Sequence, residues 1–147
     1  MLLFAYVRDD GGVLILCGIF SSLTRPPDAK RLFTKFGKSW DFGNYTRTDF
    51  QLTSTGRKLL EDFPYNAKAV PLCNTMASER IYEPTMGDTT QSPVVLGRVG
   101  KGYLAYVGDV NGERSPRGPH LRYASGWPYP SCLVCGPVRQ REVFVWV

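Results

Sequence analysis

The hydrophobic pattern near the amino terminus predicts one strand followed by one helix. Residues 13–17 are all apolar (Val-Leu-Ile-Leu-Cys), the pattern of a strand covered on both faces in a parallel sheet. The Pro-Pro-Asp run at 26–28 predicts the start of a helix that continues to about Phe36, and Gly37 ends it. A strand, a turn and a helix in this order form a βα unit, so we predict an α/β fold.

Weaker patterns surround this unit. Residues 1–8 are typical of the end of an amphipathic helix, which the glycines at 11 and 12 would close. Residues 45–52 alternate loosely between apolar and polar. Residues 54–63 predict a short helix with Leu59, Leu60 and Phe63 facing inward, and residues 67–73 and 80–83 predict short strands.

The clearest local pattern is a late antiparallel hairpin. Two β-rich runs, at about 94–99 and 103–107, are separated by a segment that contains Gly100 and Gly102. Glycine supplies the positive φ that such turns need. The Gly-Lys-Gly sequence has the composition of a phosphate-binding loop, but a strand pattern follows it instead of a helix, so we interpret it as a turn.

The composition changes after residue 112. Residues 113–147 contain five Arg, five Pro and no Lys, and only 141–147 have a strand-like pattern. Proline at this frequency excludes a long helix. We therefore predict an α/β domain over 1–112 and an irregular Pro/Arg-rich extension over 113–147.

The net charge of the 147-residue chain is +5, and it divides unevenly. Residues 1–112 carry a net +2 and residues 113–147 a net +3, so the domain itself is close to neutral. Basic and aromatic residues interleave at 31–40. Their helical spacing favours packing of Phe33 and Phe36, with Arg31, Lys35 and Lys38 on the solvated face. Accordingly, we do not expect nucleic acid to bind the domain.

The residue pattern predicts neither a membrane-spanning segment nor a signal peptide. No apolar run approaches the ~20 residues that cross a bilayer. The apolar start also lacks a preceding basic region and a following small-residue cleavage site. We therefore expect a cytoplasmic protein without a membrane partner.

The sequence offers little for catalysis, metal binding or a cofactor. A serine or cysteine nucleophile needs a base, and the one histidine, His120, lies in the 113–147 segment. His120 with Cys132 and Cys135 has the outline of a zinc deaminase site, but arginine stands where that chemistry requires glutamate. One Cys-x-x-Cys supplies two of the four ligands of a structural zinc site. We expect no metal and no cofactor, and we lean against an enzyme.

A competing hypothesis is a small-molecule enzyme with its site at the carboxyl end of strand 13–17. Open α/β sheets bind ligands at that edge. The polar side chains that we expect to reach a ligand there are Ser21, Ser22, Asp41 and Arg47.

Three segments carry a resemblance to a known family. Gly12 to Phe20 resembles the nucleophile strand and elbow of the class I glutamine amidotransferase-like superfamily. Residues 93–109 are similar to the late hairpin of ThuA-like proteins and of the trimerisation domain of some β-galactosidases. Residues 33–50 resemble uncharacterised fungal proteins with this fold. The resemblance covers about 1–112 and implies a partial flavodoxin-like open sheet.

The same resemblance implies the fold without the activity. The elbow cysteine of an amidotransferase falls on Phe20, and the His-x-Glu of its triad has no match. In such folds several βα units precede the elbow strand, which suggests a domain that lacks its first units. We therefore expect a non-catalytic accessory or binding protein whose partner is a protein or a small molecule. A second alternative is nucleic-acid binding through the Arg-rich 113–147 segment.

Overall fold

The chain alternates helices and strands at first and then becomes almost entirely strand. The computed structural model describes residues 2–60 and 65–110, and the backbone alone of 143–146. Its helices are α1 (Leu2–Arg8), α2 (Phe20–Leu23) and α3 (Pro26–Lys35), with a 3-10 turn at Gly56–Lys58. Its strands are β1 (Val13–Leu16), β2 (Asp41–Phe42), β3 (Thr46–Leu52), β4 (Tyr65–Ala69), β5 (Leu72–Cys73), β6 (Tyr82–Pro84), β7 (Val94–Val99), β8 (Gly102–Val107) and β9 (Val143–Trp146).

The central sheet has four strands in the order β7-β8-β1-β9. Strand β1 pairs in parallel with β8, with Val13 opposite Tyr103, and in parallel with β9, with Val13 opposite Val143. An all-apolar strand is expected to lie inside a sheet, and β1 has a hydrogen-bonded neighbour on each side. The predicted strand and the α/β class are confirmed.

The hairpin is also confirmed. Strands β7 and β8 pair antiparallel from Val94 opposite Val107 to Val99 opposite Gly102. Gly100 adopts a φ of +58°, which glycine reaches without steric cost. The Lys101 amide donates to the Arg8 carbonyl at 2.9 Å, so the turn fastens the end of α1 to the sheet.

The central sheet buries a different cluster on each face. Alternate side chains of a strand point to opposite faces. Those on one face pack against α1 and α3, in a cluster that includes Leu14, Leu16, Leu104 and Tyr106 with Phe33 and Trp40. Those on the other face pack against the three-stranded sheet β4-β3-β6, in a cluster that includes Val94 and Val107 with Phe50 and Tyr82.

Helix α3 begins and ends close to the predicted positions. It starts at Pro26, where the missing amide hydrogen costs no hydrogen bond, and ends at Lys35, two residues before Gly37 with its φ of +71°. Ala29 and Phe33 are buried on its inner face. The helix therefore turns one apolar stripe to the sheet and leaves its charged residues outside.

The short helix predicted over 54–63 is wrong for the part that the structure describes. Only the 3-10 turn forms, and Leu59 is exposed, whereas Leu60 packs on the second cluster. The hydroxyl of Thr53 donates to the Arg80 carbonyl at 2.6 Å and accepts from the Gly56 amide at 2.9 Å. Contacts with the 80–81 segment replace helical continuation here. Phe63 lies outside the described residues.

The strand predicted over 67–73 is two strands in two sheets. Strand β4 pairs with β3, whereas β5 pairs with β2. Pro71, which has no amide hydrogen to donate to a ladder, separates them. The patterns at 45–52 and 80–83 correspond to β3 and β6, and β3 pairs antiparallel with both β4 and β6.

Several predictions fall outside the described residues. These include His120, the Cys132 and Cys135 pair, and the arginines of 113–142. The structure describes the backbone of β9 within the strand-like 141–147 segment, and β9 extends the central sheet. Within 2–60 and 65–110 the structure has no helix with the length and apolar character of a membrane span, and neither Cys17 nor Cys73 forms a disulfide there.

Candidate functional site

The carboxyl ends of β1 and β8 lie at the same edge of the central sheet because the two strands are parallel. After β1 the chain continues through Cys17 and Gly18 into α2, and after β8 it continues through Gly108 and Asp109. Ligands of open α/β sheets bind beyond this edge. The edge formed by the carboxyl ends of β1 and β8 is therefore the candidate site.

The chain turns sharply from β1 into α2. Gly18 has a φ of +62°, in the left-handed region that residues with a side chain rarely adopt. The Phe20 amide then donates to the Cys17 carbonyl at 3.3 Å, and the Leu23 amide to the Ile19 carbonyl at 2.9 Å. A strand, a glycine turn and a short helix therefore follow one another at this edge.

Phe20, the first residue of α2, is partly buried against the cluster that contains Phe33 and Tyr106. The Phe20 ring centroid lies 6.4 Å from that of Phe33, 6.3 Å from Phe42 and 6.3 Å from Tyr106. The three interplanar angles are 61°, 78° and 76°, the edge-to-face arrangement that aromatic quadrupoles favour. Phe20 thus fills the space between the sheet and α3.

Ser21 is buried beside the hydroxyl of Tyr106, which donates to the Val70 carbonyl at 2.7 Å. Burial raises the pKa of Tyr106 far above its ordinary value, and the neighbouring Ser21 hydroxyl lowers that pKa by less. Tyr106 therefore keeps its proton at neutral pH and does not act as a base for Ser21. Residues 2–60 and 65–110 contain no histidine to take that role.

The other predicted site residues have separate surroundings. Ser22 is exposed on α2. Asp41, on β2, forms a 2.8 Å ion pair with Lys30, whose pKa that hydrogen bond raises. Arg47, on β3, reaches the Asn66 side chain at 3.5 Å. The four residues belong to or follow strands of three different sheets, and their convergence on one ligand stays a prediction.

Asp109 lies at the same edge of the sheet, and the sequence did not single it out. It follows β8 directly, and its backbone bridges to Ala69 at the end of β4. Burial raises the pKa of Tyr65, and the nearby charge of Asp109 raises it further. An acidic residue after the second strand of the hairpin was the available clue. Asp109 lies at the candidate edge because β8 pairs in parallel with β1. That pairing joins residues far apart in the chain, so local patterns do not reveal it.

Lys38 was predicted to be solvated, and this prediction is wrong. Its Nζ forms a 2.7 Å ion pair with Glu79 Oε1, and the two side chains are only 11% and 6% exposed. The other carboxylate oxygen accepts from Trp40 Nε1 at 2.8 Å and from the Met76 amide at 3.0 Å. The partner carboxylate is 41 residues away along the chain, which is why helical spacing did not reveal it.

The buried Glu79 carboxylate is ionised and fully bonded. Burial raises the pKa of Glu79, but the bonds from Lys38, Trp40 and Met76 together outweigh burial, so the net pKa is lowered. A carboxylate held in this way has a structural role: it joins the 38–40 segment to the 76–79 segment.

Glu79 makes the stability of the fold sensitive to acid. Its pKa is lower in the folded than in the unfolded state, so its contribution is complete above the unfolded value of about 4.3 and is lost as pH falls through the folded pKa. We expect the free energy of unfolding to fall from about pH 5 to pH 3, and Glu79→Gln to flatten this fall. Urea titrations across this range measure both, with Glu83→Gln as the matched control. A profile that Glu79→Gln leaves unchanged would contradict the prediction.

No three His, Cys, Asp or Glu residues cluster as metal ligands within the part of the chain that the structure describes. Comparison with protein-family models, with curated proteins and with solved structures gave no match.

Proposed function

We propose that this chain is a non-catalytic, amidotransferase-like protein that acts in the cytoplasm as a binding or accessory factor. The proposal includes a partial flavodoxin-like open sheet for its domain. The observation that carries it is the position of Phe20, whose ring is packed against three other aromatic rings at the elbow.

An elbow nucleophile must present its reactive atom to a substrate and to a base. The Phe20 side chain has no nucleophilic atom, and its ring packs edge-to-face against Phe33, Phe42 and Tyr106. Restoring a cysteine here would not restore activity by itself, because a thiol also needs a base.

The neighbouring nucleophilic residues do not replace it. Cys17 packs against the second cluster on the sheet, and a thiol in apolar surroundings is normally inert. Ser21 is buried beside Tyr106, which keeps its proton at neutral pH. Both observations favour a binding role over acyl transfer.

The sheet supports the fold part of the proposal. Strand β1 lies between two parallel neighbours, leads through a glycine turn into α2 and α3, and is followed by a late antiparallel hairpin. The order of strand, turn, helices and late hairpin along the chain supports the proposed open sheet.

The test is an assay for ammonia released from glutamine. We expect the purified chain to release no more ammonia than buffer does, and Phe20→Cys to release none either. A glutamine-hydrolysing enzyme in the same assay is the positive control. Glutamine-dependent release that disappears in Cys17→Ser or in Ser21→Ala would overturn the proposal.

A further inference from the structure

The outward face of α3 forms a basic groove of about 730 Å³. It is lined by Arg25, Pro27, Asp28, Lys30, Arg31, Thr34 and Lys35. Four cations and one carboxylate give this lining a net charge of +3. Since residues 1–112 together carry +2, the rest of that segment has a net charge of −1. Asp41 pairs with Lys30 at 2.8 Å, so the lining and its partner carboxylates together carry a net charge of +2. The near-neutral total therefore conceals one positive surface.

One carboxylate accepts hydrogen bonds from both arginines of the groove. Asp28 Oδ2 accepts from Arg25 Nε at 2.9 Å, and its Oδ1 accepts from Arg31 Nη2. A guanidinium has five N–H donors, so each arginine keeps donors for a further acceptor. The Arg25 and Arg31 side chains are 81% and 75% exposed, so their remaining donors are accessible to a ligand.

Exposed apolar side chains lie immediately before the groove in the chain. Leu23 is 73% exposed and Ile19 is 51% exposed, and they are four residues apart at α2. Residues four apart share a helix face, so the two form a small apolar surface. Leu23 is two residues before Arg25, where the groove begins.

We propose that the groove and this apolar surface dock an acidic amphipathic segment of a partner protein. Carboxylates of the segment bind Arg25, Arg31 and Lys35, and its apolar side chains cover Leu23 and Ile19. This inference rests on the proposed binding function and names its partner class and its surface.

Charge and composition favour this occupant over others. The chain's own 113–147 segment carries five Arg and two Glu, so it is repelled by a basic groove. Single-stranded nucleic acid binds where aromatic side chains stack on bases, and the groove lining has none. An acidic amphipathic segment matches both the charge and the apolar surface.

The test measures binding of a fluorescent synthetic peptide of Glu and Leu in an amphipathic helical pattern to the full chain. We expect salt-sensitive binding that Arg31→Glu and Lys35→Glu each weaken about tenfold, because attraction becomes repulsion. Lys58→Glu, the same change outside the groove, is expected to alter affinity less than about twofold. We expect Leu23→Ser to weaken binding about fivefold and Leu59→Ser to leave it unchanged.

Two competing probes complete the design: a labelled oligothymidine and vesicles of phosphatidylserine with phosphatidylcholine. Tighter binding of either probe through the same residues would overturn the proposal, as would peptide binding that Arg31→Glu leaves unchanged. If the peptide does not bind and the chain releases no ammonia from glutamine, only this inference is rejected. If the peptide binds and the chain also releases ammonia from glutamine, only the proposal that the protein is non-catalytic is rejected.

Discussion

Replacing Glu79 with alanine is expected to lower the free energy of unfolding by about 3–5 kcal/mol, because it leaves a buried cation without its counter-ion. Lys38 is only 11% exposed and has Glu79 as its ion-pair partner. The Trp40 indole N–H and the Met76 amide lose their acceptor in the same substitution. Each buried donor left without an acceptor adds to the loss.

Urea denaturation of the purified variant measures this effect. Glu83→Ala is the matched control, because the Glu83 carboxylate only approaches the Gln51 amide at 3.5 Å, and we expect a loss below about 1 kcal/mol. The double variant Lys38→Met with Glu79→Leu should recover part of the stability, since both charges are then removed. Equal losses in Glu79→Ala and Glu83→Ala would show that the buried pair has no special role.

Phe33→Ala is expected to cost about 3–5 kcal/mol of unfolding free energy through loss of apolar burial and creation of a cavity. Its ring is fully buried and lies 5.5 Å from that of Trp40 and 6.2 Å from that of Tyr106, centroid to centroid. It also contacts Phe20 and Phe42, so it is the aromatic residue through which α3 and the elbow pack on the sheet.

The control for Phe33→Ala is Tyr103→Ala. Tyr103 is an aromatic residue of the same sheet that is partly exposed, and we expect its loss to stay near 1 kcal/mol. Thermal melting of both variants in the same buffer gives the comparison. A Phe33→Ala variant as stable as Tyr103→Ala would mean that the aromatic cluster is not the main contact between α3 and the sheet.

The elements that could be predicted from the sequence have causes within a few residues. The apolar run gave β1, Pro26 and Gly37 bounded α3, and the glycine turn placed β7 and β8. In each case the local residues suffice to favour the observed backbone.

The elements that could not be predicted depend on distant partners. Thr53 bonds to the carbonyl of Arg80, and this contact replaces the helix expected after residue 54. The strand-like pattern at 141–147 was visible in the sequence, but the pairing of β9 with β1, at the other end of the chain, was not. The spacing of hydrophobic residues within a short stretch of sequence contains no information on such contacts.

The candidate site shows the same limit. The elbow turn at Gly18 was visible in the sequence, because the residues that form it are neighbours. The burial of Ser21 under Tyr106 and the ion pair of Asp41 with Lys30 were not, because each depends on how separate elements pack. The net charge of +2 for residues 1–112 is a sum over the segment, so it did not reveal the cations that line the outward face of α3.

The non-catalytic claim is tested most directly by the mass of the intact protein after incubation with a glutamine analogue that carries a reactive diazoketone. A working nucleophile would attack the analogue and retain it covalently. We predict an unchanged mass, because Phe20 has no nucleophilic atom, Cys17 packs against the second cluster, and Ser21 is buried beside a tyrosine that keeps its proton at neutral pH. A single adduct on Cys17, Ser21 or Ser22 that excess glutamine prevents would contradict the claim.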